Sequence, residues 1–350
     1  MRSHSGLTSG ADFASARIAD RSRQIHGGGS SKVARPWRGT MKRPRRCLIP
    51  LFSLLLCLSM GGCKIGNAGG SRPRALRFAY SPQMEQLEGG TLRIDLMQSY
   101  LQKQLHMPVQ VVSVEGYAAT IEAMRAGKVD IATYGGLGYI LAAQKAGAEA
   151  IVARGYPNGS IGGYHSVIAV PKNSPIHSMA DLKAHAKNLV FAFADPASTS
   201  GYLYPRVGLV SMGIDPDTDF RKVVFAAGHP AAIMAVKSGK VDAGAFAEAM
   251  LIRLIELHKI APGDVRILWT SELIPNACVA VRKALPGKLK KEIQAAFIAI
   301  PAKDPKLWAS WSRAFHGPSS GTTNVAADDA TYNGLRKYAA QVKDFNLAEN

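Results

Sequence analysis

Cysteine is scarce in this chain, and the few cysteines leave no pair for a disulfide. The 350 residues contain four, of which Cys47, Cys57 and Cys63 lie in or at the end of one apolar segment near the N-terminus. Cys278 is alone in the rest of the chain. One thiol cannot form a disulfide framework or a cysteine-based metal site. We therefore expect no disulfide, and we predict neither a metal nor a cofactor.

A hydrophobic run long enough to cross a membrane is also lacking. The apolar stretch over residues 47–60 is shorter than the ~20 residues that a membrane-spanning helix needs. It follows four basic residues and ends at Gly61-Gly62-Cys63, an order typical of a bacterial lipoprotein signal. We predict a lipoprotein signal peptide over residues 41–63, with a lipid anchor on Cys63. Met60 stands where leucine is usual, so simple cleavage and an uncleaved anchor remain alternatives.

The segments on either side of this signal lack the pattern of a folded unit. Residues 1–40 are polar and rich in glycine and serine, and translation starting at Met41 would explain them as a non-native extension. Residues 64–75 consist mainly of small, polar and basic residues, a composition typical of a flexible tether. The folded part is predicted to begin near Leu76, and it is long enough for two domains with their own cores.

The folded part has no cluster of positive charge. The net charge is +18, but about half of it falls in the first 63 residues. The rest is spread out, without an arginine-rich run or an alternation of basic and aromatic residues. Because nucleic-acid binding requires such a patch, we expect no nucleic-acid partner. A basic periplasmic or surface protein fits the composition.

Short β-type runs alternate with amphipathic helical stretches from Leu76 onward, which indicates α/β layers with largely parallel sheets. Helices are predicted near 91–105 and from Tyr117, Ser200 and Pro230. The predicted strands are LRFAY (76–80), VQVVSV (109–114), VDIATY (129–134), NLVFAFA (188–194), FRKVVFA (220–226) and VDAGAF (241–246).

A short internal similarity suggests two related lobes. The stretches AMRAGKVDIATYG (123–135) and AVKSGKVDAGAFA (235–247) share a helix end, a glycine and Lys-Val-Asp before a strand. Gly127 and Gly239 suit the left-handed conformation that ends many helices. A common helix-to-strand connector would explain the similarity equally well.

Two further β-like stretches, YHSVIAVP (164–171) and RILWTS (266–271), are predicted to connect the lobes and to act as a hinge. Lobe 1 is then predicted over residues 76–166 and 270–350, and lobe 2 over residues 167–269. A cleft between such lobes binds ligands at strand ends and helix N-termini. The tail from about Asp304, with Trp308 and Trp311, is predicted to form helices that pack on lobe 1.

Motifs of the common enzyme classes are absent. The sequence contains no G-x-S-x-G elbow, and GGLG (135–138) lacks the spacing and the Lys-Ser/Thr of a phosphate-binding loop. His177 and His185 lie eight residues apart near a predicted surface helix, which is not a metal-ligand spacing. We therefore expect no catalysis.

The stretch ADPASTSGYLYP (194–205) offers a different chemistry, because it places three hydroxyl residues before a glycine at a predicted helix start. A turn followed by an ordinary helix cap is one interpretation. The other is an anion cradle, in which hydroxyls and exposed helix amides converge on a tetrahedral oxyanion.

Over roughly residues 76–300, the sequence resembles the phosphonate-type substrate-binding proteins of ABC transporters. The DPxSTSGY element at residues 195–202 is the specific match. The weaker matches are GYAATIEAMRAGKVDIATYGGLGYILA, YHSVIAVPKNSPIHSMADLK and FAAGHPAAIMAVKSGKVDAGAFAE. The resemblance implies an α/β, two-lobed periplasmic binding protein of type II, with two mainly parallel sheets and two hinge strands.

The resemblance also implies an anion site built from both lobes. The family's anion-binding hydroxyls correspond to Ser198, Thr199 and Ser200, with the amide of Gly201 opening the helix behind them. An anion-contacting histidine and two cleft tyrosines from the other lobe correspond to His229, Tyr117 and Tyr164.

The chain departs from the family at one position. Binders of aminoalkyl phosphonates place two carboxylates around the ligand's ammonium group. Glu248 matches the first, whereas the second falls on Asn276 or Ala277. A buried ammonium without full pairing is costly, so phosphite or methylphosphonate is favoured over an amino-phosphonate. Glu248 would then accept a hydrogen bond from His229 or from a protonated ligand oxygen.

The resemblance therefore implies a periplasmic solute-binding component that captures a small phosphorus oxyanion and delivers it to an ABC permease in the membrane. The same fold binding phosphate, a sulfonate or another small organic ligand is an alternative. A sensor that reports ligand to a membrane kinase is another.

Overall fold

The computed structural model describes residues 71–80, 94–314 and 321–341. The predicted N-terminal extension, the signal at residues 41–63 and most of the tether lie outside the described residues. No helix in the described ranges is both long and apolar enough to cross a membrane.

The described elements alternate as the sequence pattern predicts. The helices are α1 (Ile94–Leu105), α2 (Tyr117–Arg125), α3 (Gly136–Ala146), α4 (Met179–His185), α5 (Tyr204–Ser211), α6 (His229–Lys237), α7 (Glu248–Glu256), α8 (Gly287–Lys303), α9 (Pro305–Ala314) and α10 (Asn333–Ala339). The strands are β1 (Leu76–Tyr80), β2 (Val109–Ser113), β3 (Ile131–Tyr134), β4 (Ala148–Gly155), β5 (Gly163–Tyr164), β6 (Ser166–Pro171), β7 (Val190–Phe193), β8 (Lys222–Phe225), β9 (Ala243–Ala247), β10 (Val265–Thr270), β11 (Ile274–Pro275), β12 (Cys278–Arg282) and β13 (Thr323–Ala326).

Two sheets form the cores of two lobes. The first has the order β13-β4-β12-β3-β1-β2, and the second has the order β10-β6-β9-β7-β8. In each, parallel pairs at one side are extended by antiparallel strands, so both sheets are mixed. Four of the antiparallel strands, β4, β6, β10 and β12, belong to the segments that enter or leave the other lobe, whereas β13 adds to the edge of the first sheet from the C-terminal part of lobe 1. The predicted two-lobed α/β fold is confirmed, but the prediction of mainly parallel sheets is wrong, because the first sheet has three antiparallel pairs against two parallel ones and the second has two of each.

The chain crosses between the sheets at β5 and β11, which pair with each other as a separate antiparallel ladder. The predicted connecting stretches lie mostly inside the second sheet instead, as β6 and β10. The reason is that β6 pairs on both edges, with β9 and with β10, before the chain leaves the sheet. The paired part of the connection is therefore only two residues long on each strand.

Three apolar clusters hold the layers together. One packs α1, α8 and α9 on the outer face of the first sheet, where the rings of Phe78, Phe297 and Trp311 meet. A second fills the outer face of the second sheet around Phe191 and Phe193. The third contains buried residues of both lobes. Burial of each large apolar side chain contributes about 1.5–3 kcal/mol.

The internal similarity reflects a shared structural unit that is longer than the sequence pattern indicated. Gly127 and Gly239 both adopt left-handed backbone, with φ of 65° and 69°. The helices before them, α2 and α6, are both nine residues long. Each helix also follows a glycine with positive φ, Gly116 or Gly228. The unit therefore runs from one such glycine through the helix to the next strand in both lobes.

Candidate functional site

The hydroxyl run follows β7 and begins a helix, as predicted. The Asp195 carboxylate accepts the Ala197 amide at 2.8 Å, and the Ser198 amide donates to the Asp195 carbonyl at 2.9 Å. This Asp-Pro turn ends in a π-helical turn, Thr199–Leu203, that continues into α5. Ser198, Thr199 and Ser200 are only 1%, 2% and 1% exposed. Three hydroxyl side chains that are this deeply buried need polar partners.

Ser198 acts as the cap of this helix. Its Oγ accepts the Gly201 amide at 2.9 Å. The Gly201 amide, which was predicted to face the anion, is thus occupied by Ser198 in this structure. Gly201 has no room for a side chain, because a Cβ would lie 2.3 Å from the Ala194 Cβ and 2.9 Å from the Ser198 Oγ. The close turn around Ser198 consequently depends on glycine at position 201.

Thr199 connects the two lobes. Its Oγ1 accepts the Leu137 amide, from the first turn of α3, at 2.9 Å. Gly135 lies close to this contact, since a Cβ there would be in van der Waals contact with the Thr199 Oγ1 at 3.4 Å. The GGLG stretch therefore contributes a backbone donor and close packing across the cleft. Sequence reasoning missed this role, although the paired glycines after a predicted strand were a signal for close approach.

His229 is the first residue of α6 and is 8% exposed. Its Nδ1 accepts the Ala247 amide at 3.1 Å. Its Nε2 lies 3.3 Å from the Ser198 Oγ. The imidazole is therefore fixed between the end of β9 and the hydroxyl run. Within the repeated unit, His229 occupies the position that Tyr117 has in the other lobe, since each follows the positive-φ glycine and begins its helix.

Both predicted tyrosines border the hydroxyl run. Burial raises the pKa of Tyr117 well above its usual range, and a hydrogen bond with the Ser198 side chain partly opposes that shift. Burial likewise raises the pKa of Tyr164, and hydrogen bonds with the Ser200 and Thr199 side chains partly oppose that shift. Both phenols therefore stay protonated at neutral pH, as hydrogen-bonding groups without charge. Tyr164 lies on the crossing strand β5, and Tyr117 begins α2.

Glu248 begins α7 and is half-buried. Its backbone amide donates to the His165 carbonyl at 3.0 Å. Among the described residues, no hydrogen bond or ion pair of its carboxylate is found, and His229 uses its two ring nitrogens toward Ala247 and Ser198. The carboxylate role predicted for Glu248 stays a prediction.

Asn276, which stands where the family would have its second carboxylate, makes its hydrogen bonds inside the first lobe. The Asn276 side-chain amide donates to the Arg154 carbonyl at 3.1 Å, and its backbone carbonyl accepts the Tyr332 hydroxyl at 2.9 Å. Ala277 lines a small cavity of about 30 Å³ beside β4 and α9. Neither residue supplies an anionic group.

The three hydroxyl residues and the two tyrosines supply uncharged hydrogen-bonding groups to the site. No group of three or more His, Cys, Asp or Glu side chains in the described ranges could hold a metal ion. Cys278 is buried as a free thiol, and burial raises its pKa to about 12. Hydroxyl, phenol and imidazole groups without counter-charge suit an anion that is recognised by directed hydrogen bonds.

Aromatic contacts also join the lobes beside this site. The ring of Tyr204, on α5, stacks on the ring of Tyr338, on α10, with centroids 4.1 Å apart. Within lobe 1, the rings of Tyr139 and Tyr332 pack on each other with centroids 4.9 Å apart. The C-terminal helix α10 therefore contacts both lobes, because its Leu335 also packs over Gly136 at the start of α3.

The fold, with two α/β lobes and the hydroxyl run where they meet, is that of a two-lobed periplasmic binding protein. The family of phosphonate periplasmic substrate-binding proteins of ABC transporters matches residues 78–327. The chain belongs to this family.

Individual relatives agree with the family. The chain is 34% identical over 202 residues to the phosphonates-binding periplasmic protein of Escherichia coli K12, covering 57% of this chain and 58% of that protein. It is 28% identical over 267 residues to the phosphate-import protein PhnD of Mycolicibacterium smegmatis, covering 69% and 80%. The crystal structure of a binding protein component of an ABC phosphonate transporter from Pseudomonas aeruginosa is similar, with a TM-score of 0.66, 25% identity and coverage of 77% and 86%.

Proposed function

We propose that this protein captures a small phosphorus oxyanion between its lobes and delivers it to an ABC permease. The observation that carries the proposal is the convergence of Ser198, Thr199, His229 and the two tyrosines from both lobes. Hydrogen bonds to a charged group contribute about 1.5–3 kcal/mol each. The summed contribution of four such bonds is therefore a range that includes the ~8 kcal/mol binding free energy of a micromolar complex, before the entropic cost of ordering the partners is subtracted.

The ligand is proposed to lack an ammonium group. The Asn276 amide is already bonded to the Arg154 carbonyl, so the first lobe offers no carboxylate at this position to pair with a cation. A phosphite, methylphosphonate or phosphate ion needs only donors and, when monoprotonated, one acceptor such as Glu248. These ions are expected to bind more tightly than 2-aminoethylphosphonate.

Calorimetric titration of the intact protein near pH 7 tests the proposal, with phosphite, methylphosphonate, phosphate, 2-aminoethylphosphonate and sulfate in parallel. We expect micromolar or tighter binding of a phosphorus oxyanion. The double variant Ser198→Ala/Thr199→Ala removes two buried donors and is expected to weaken that binding at least a hundredfold.

Ser238→Ala is the matched control, because Ser238 is exposed and bonds only within its own helix end. It should bind like the unmodified protein. Unchanged affinity in the double variant would refute the cradle. Binding of a sulfonate or an organic amine, with no phosphorus ligand bound, would refute the proposed ligand class.

The protein is further proposed to be exported and held at the outer face of the cytoplasmic membrane by a lipid on Cys63. The order of basic residues, a short apolar run and Gly-Gly-Cys supports this anchor. When the Cys63→Ala variant is expressed in a Gram-negative host, we expect it to lack the lipid and to leave the membrane fraction. An unmodified chain that lacks lipid by mass spectrometry would contradict the anchor while leaving the binding function untouched.

A further inference from the structure

The hydrogen bond between the Ala247 amide and the His229 Nδ1, 3.1 Å long, determines where the imidazole proton lies. A ring nitrogen that accepts an N–H carries no hydrogen of its own. A neutral imidazole has one N–H, which must then be on Nε2. This tautomer is the one that can donate toward the hydroxyl run.

The Ala247 amide cannot turn away to accommodate a second proton. Ala247 is the last residue of β9, which pairs with β6 at Ser166, and it immediately precedes α7. A hydrogen on Nδ1 would oppose the Ala247 N–H head-on at hydrogen-bond distance. The backbone therefore disfavours the imidazolium ion and the alternative neutral tautomer together.

The fixed tautomer also orients the neighbouring hydroxyl. The Ser198 Oγ accepts the Gly201 amide at 2.9 Å, and the His229 Nε2–H approaches it at 3.3 Å. With N–H groups directed at its two lone pairs, this oxygen can act as a donor only through its own proton, for which the hydrogen-bonded Tyr117 phenol is one acceptor. Thr199 is similar, because its Oγ1 accepts the Leu137 amide and its own proton remains the donor, with the hydrogen-bonded Tyr164 phenol as one acceptor.

We propose that His229 acts as a neutral imidazole, held in the Nε2–H form by the Ala247 amide, and that it sets the Ser198 hydroxyl as a donor to the anion. The inference rests on the proposed function, since it concerns the same site. Its consequence is recognition without a formal positive charge. Such a site selects by the direction of its hydrogen bonds and releases the anion more readily than a cationic site would.

The experiment is nitrogen NMR of the histidine ring in the intact, isotopically labelled protein near pH 7, with and without phosphite. The His229 signals are identified by their loss in His229→Gln. We expect a protonated Nε2 and an unprotonated, hydrogen-bonded Nδ1 in both states. Two protonated nitrogens in the complex, or a proton on Nδ1, would overturn the proposal.

Affinity for phosphite provides an independent readout. Because glutamine can place a neutral N–H₂ donor near Nε2, His229→Gln is expected to recover part of the roughly 10–100-fold loss caused by His229→Ala. The salt dependence of the affinity should also be the same in the unmodified protein and in His229→Gln, since no charge pair with His229 is screened. A steeper loss of affinity with salt in the unmodified protein would argue for a cationic histidine.

These results separate the two proposals. If the unmodified protein binds none of the phosphorus oxyanions, the proposed ligand class fails, whereas the NMR spectrum of the anion-free protein still shows the tautomer. If phosphite binds and the ring is doubly protonated, only the neutral-donor role is refuted.

Discussion

Replacing Gly201 with alanine is expected to reduce the affinity for a phosphorus oxyanion at least a hundredfold and to destabilise the second lobe by about 1–3 kcal/mol. The new Cβ would lie 2.3 Å from the Ala194 Cβ, 2.9 Å from the Ser198 Oγ and 3.0 Å from the His229 Cε1. None of these atoms is the end of a flexible chain. The Ala194 amide is also bonded to the Gly201 carbonyl at 2.9 Å, so the two backbones cannot separate without losing that bond.

Gly334 provides the matched control, because it is an exposed helical glycine in α10 with open space around its Cα. Gly334→Ala is expected to retain full affinity and to gain up to about 1 kcal/mol, since alanine loses less backbone entropy in a helix. Thermal unfolding and calorimetric titration of both variants make the comparison. Normal anion affinity in Gly201→Ala would show that the geometry of Ser198 and His229 does not determine binding.

Asp130→Ala is expected to have the largest effect on stability, a loss of about 3–5 kcal/mol. Asp130 is fully buried and lies between two arginines. Its carboxylate accepts the Arg77 amide at 3.0 Å, two Arg77 guanidinium bonds at 2.8 and 2.9 Å, and two Arg282 bonds at 3.1 and 2.8 Å. Truncation would leave both guanidinium groups without this shared acceptor.

The internal repeat supplies the control for this variant. Asp242 has the same place in lobe 2, where it accepts the Val190 amide at 2.7 Å, but its side chain is 43% exposed and lies 3.9 Å from Arg221. Asp242→Ala should therefore cost only about 1 kcal/mol, as expected for one hydrogen bond and a weak surface pair. Denaturant unfolding of both variants measures the difference. Equal losses would mean that burial of the ion network contributes nothing beyond the shared backbone bond.

Under the proposed function, the site links ligand binding to the relative position of the lobes. Lobe 2 carries the hydroxyl run and His229, whereas lobe 1 contributes the Leu137 amide and Tyr117. An anion that contacts both sets stabilises the arrangement in which the lobes meet, because a ligand shifts an equilibrium toward the state in which it makes more contacts. The stacking of Tyr204 on Tyr338 stabilises the same arrangement without ligand.

Local chemistry made much of the fold predictable. The run LRFAY forms β1 with the predicted bounds, and α2 starts at Tyr117 as predicted. The left-handed backbone at Gly127 and Gly239 was expected from the helix-stop pattern. The run of hydroxyls after Asp-Pro was expected to start a helix, and it does. In each case, residues close in the chain carry the physical cause.

The sequence pattern did not predict contacts between segments that are distant in the chain. The connection between the lobes lies at β5 and β11, because β6 and β10 find strand partners in the second sheet. The Leu137 amide meets Thr199 only after two lobes come together.

The amino-acid sequence alone determined the alternation of helices and strands, the two related lobes and the hydroxyl run, because these depend on propensity, periodicity and neighbouring residues. Only the tertiary structure decided that Tyr117 and His229 meet at one serine and that the Ala247 amide donates to the His229 Nδ1. The second contact depends on the position of one backbone amide, Ala247, relative to a ring 18 residues away in the chain. The position of that amide follows from strand pairing, which no local pattern encodes.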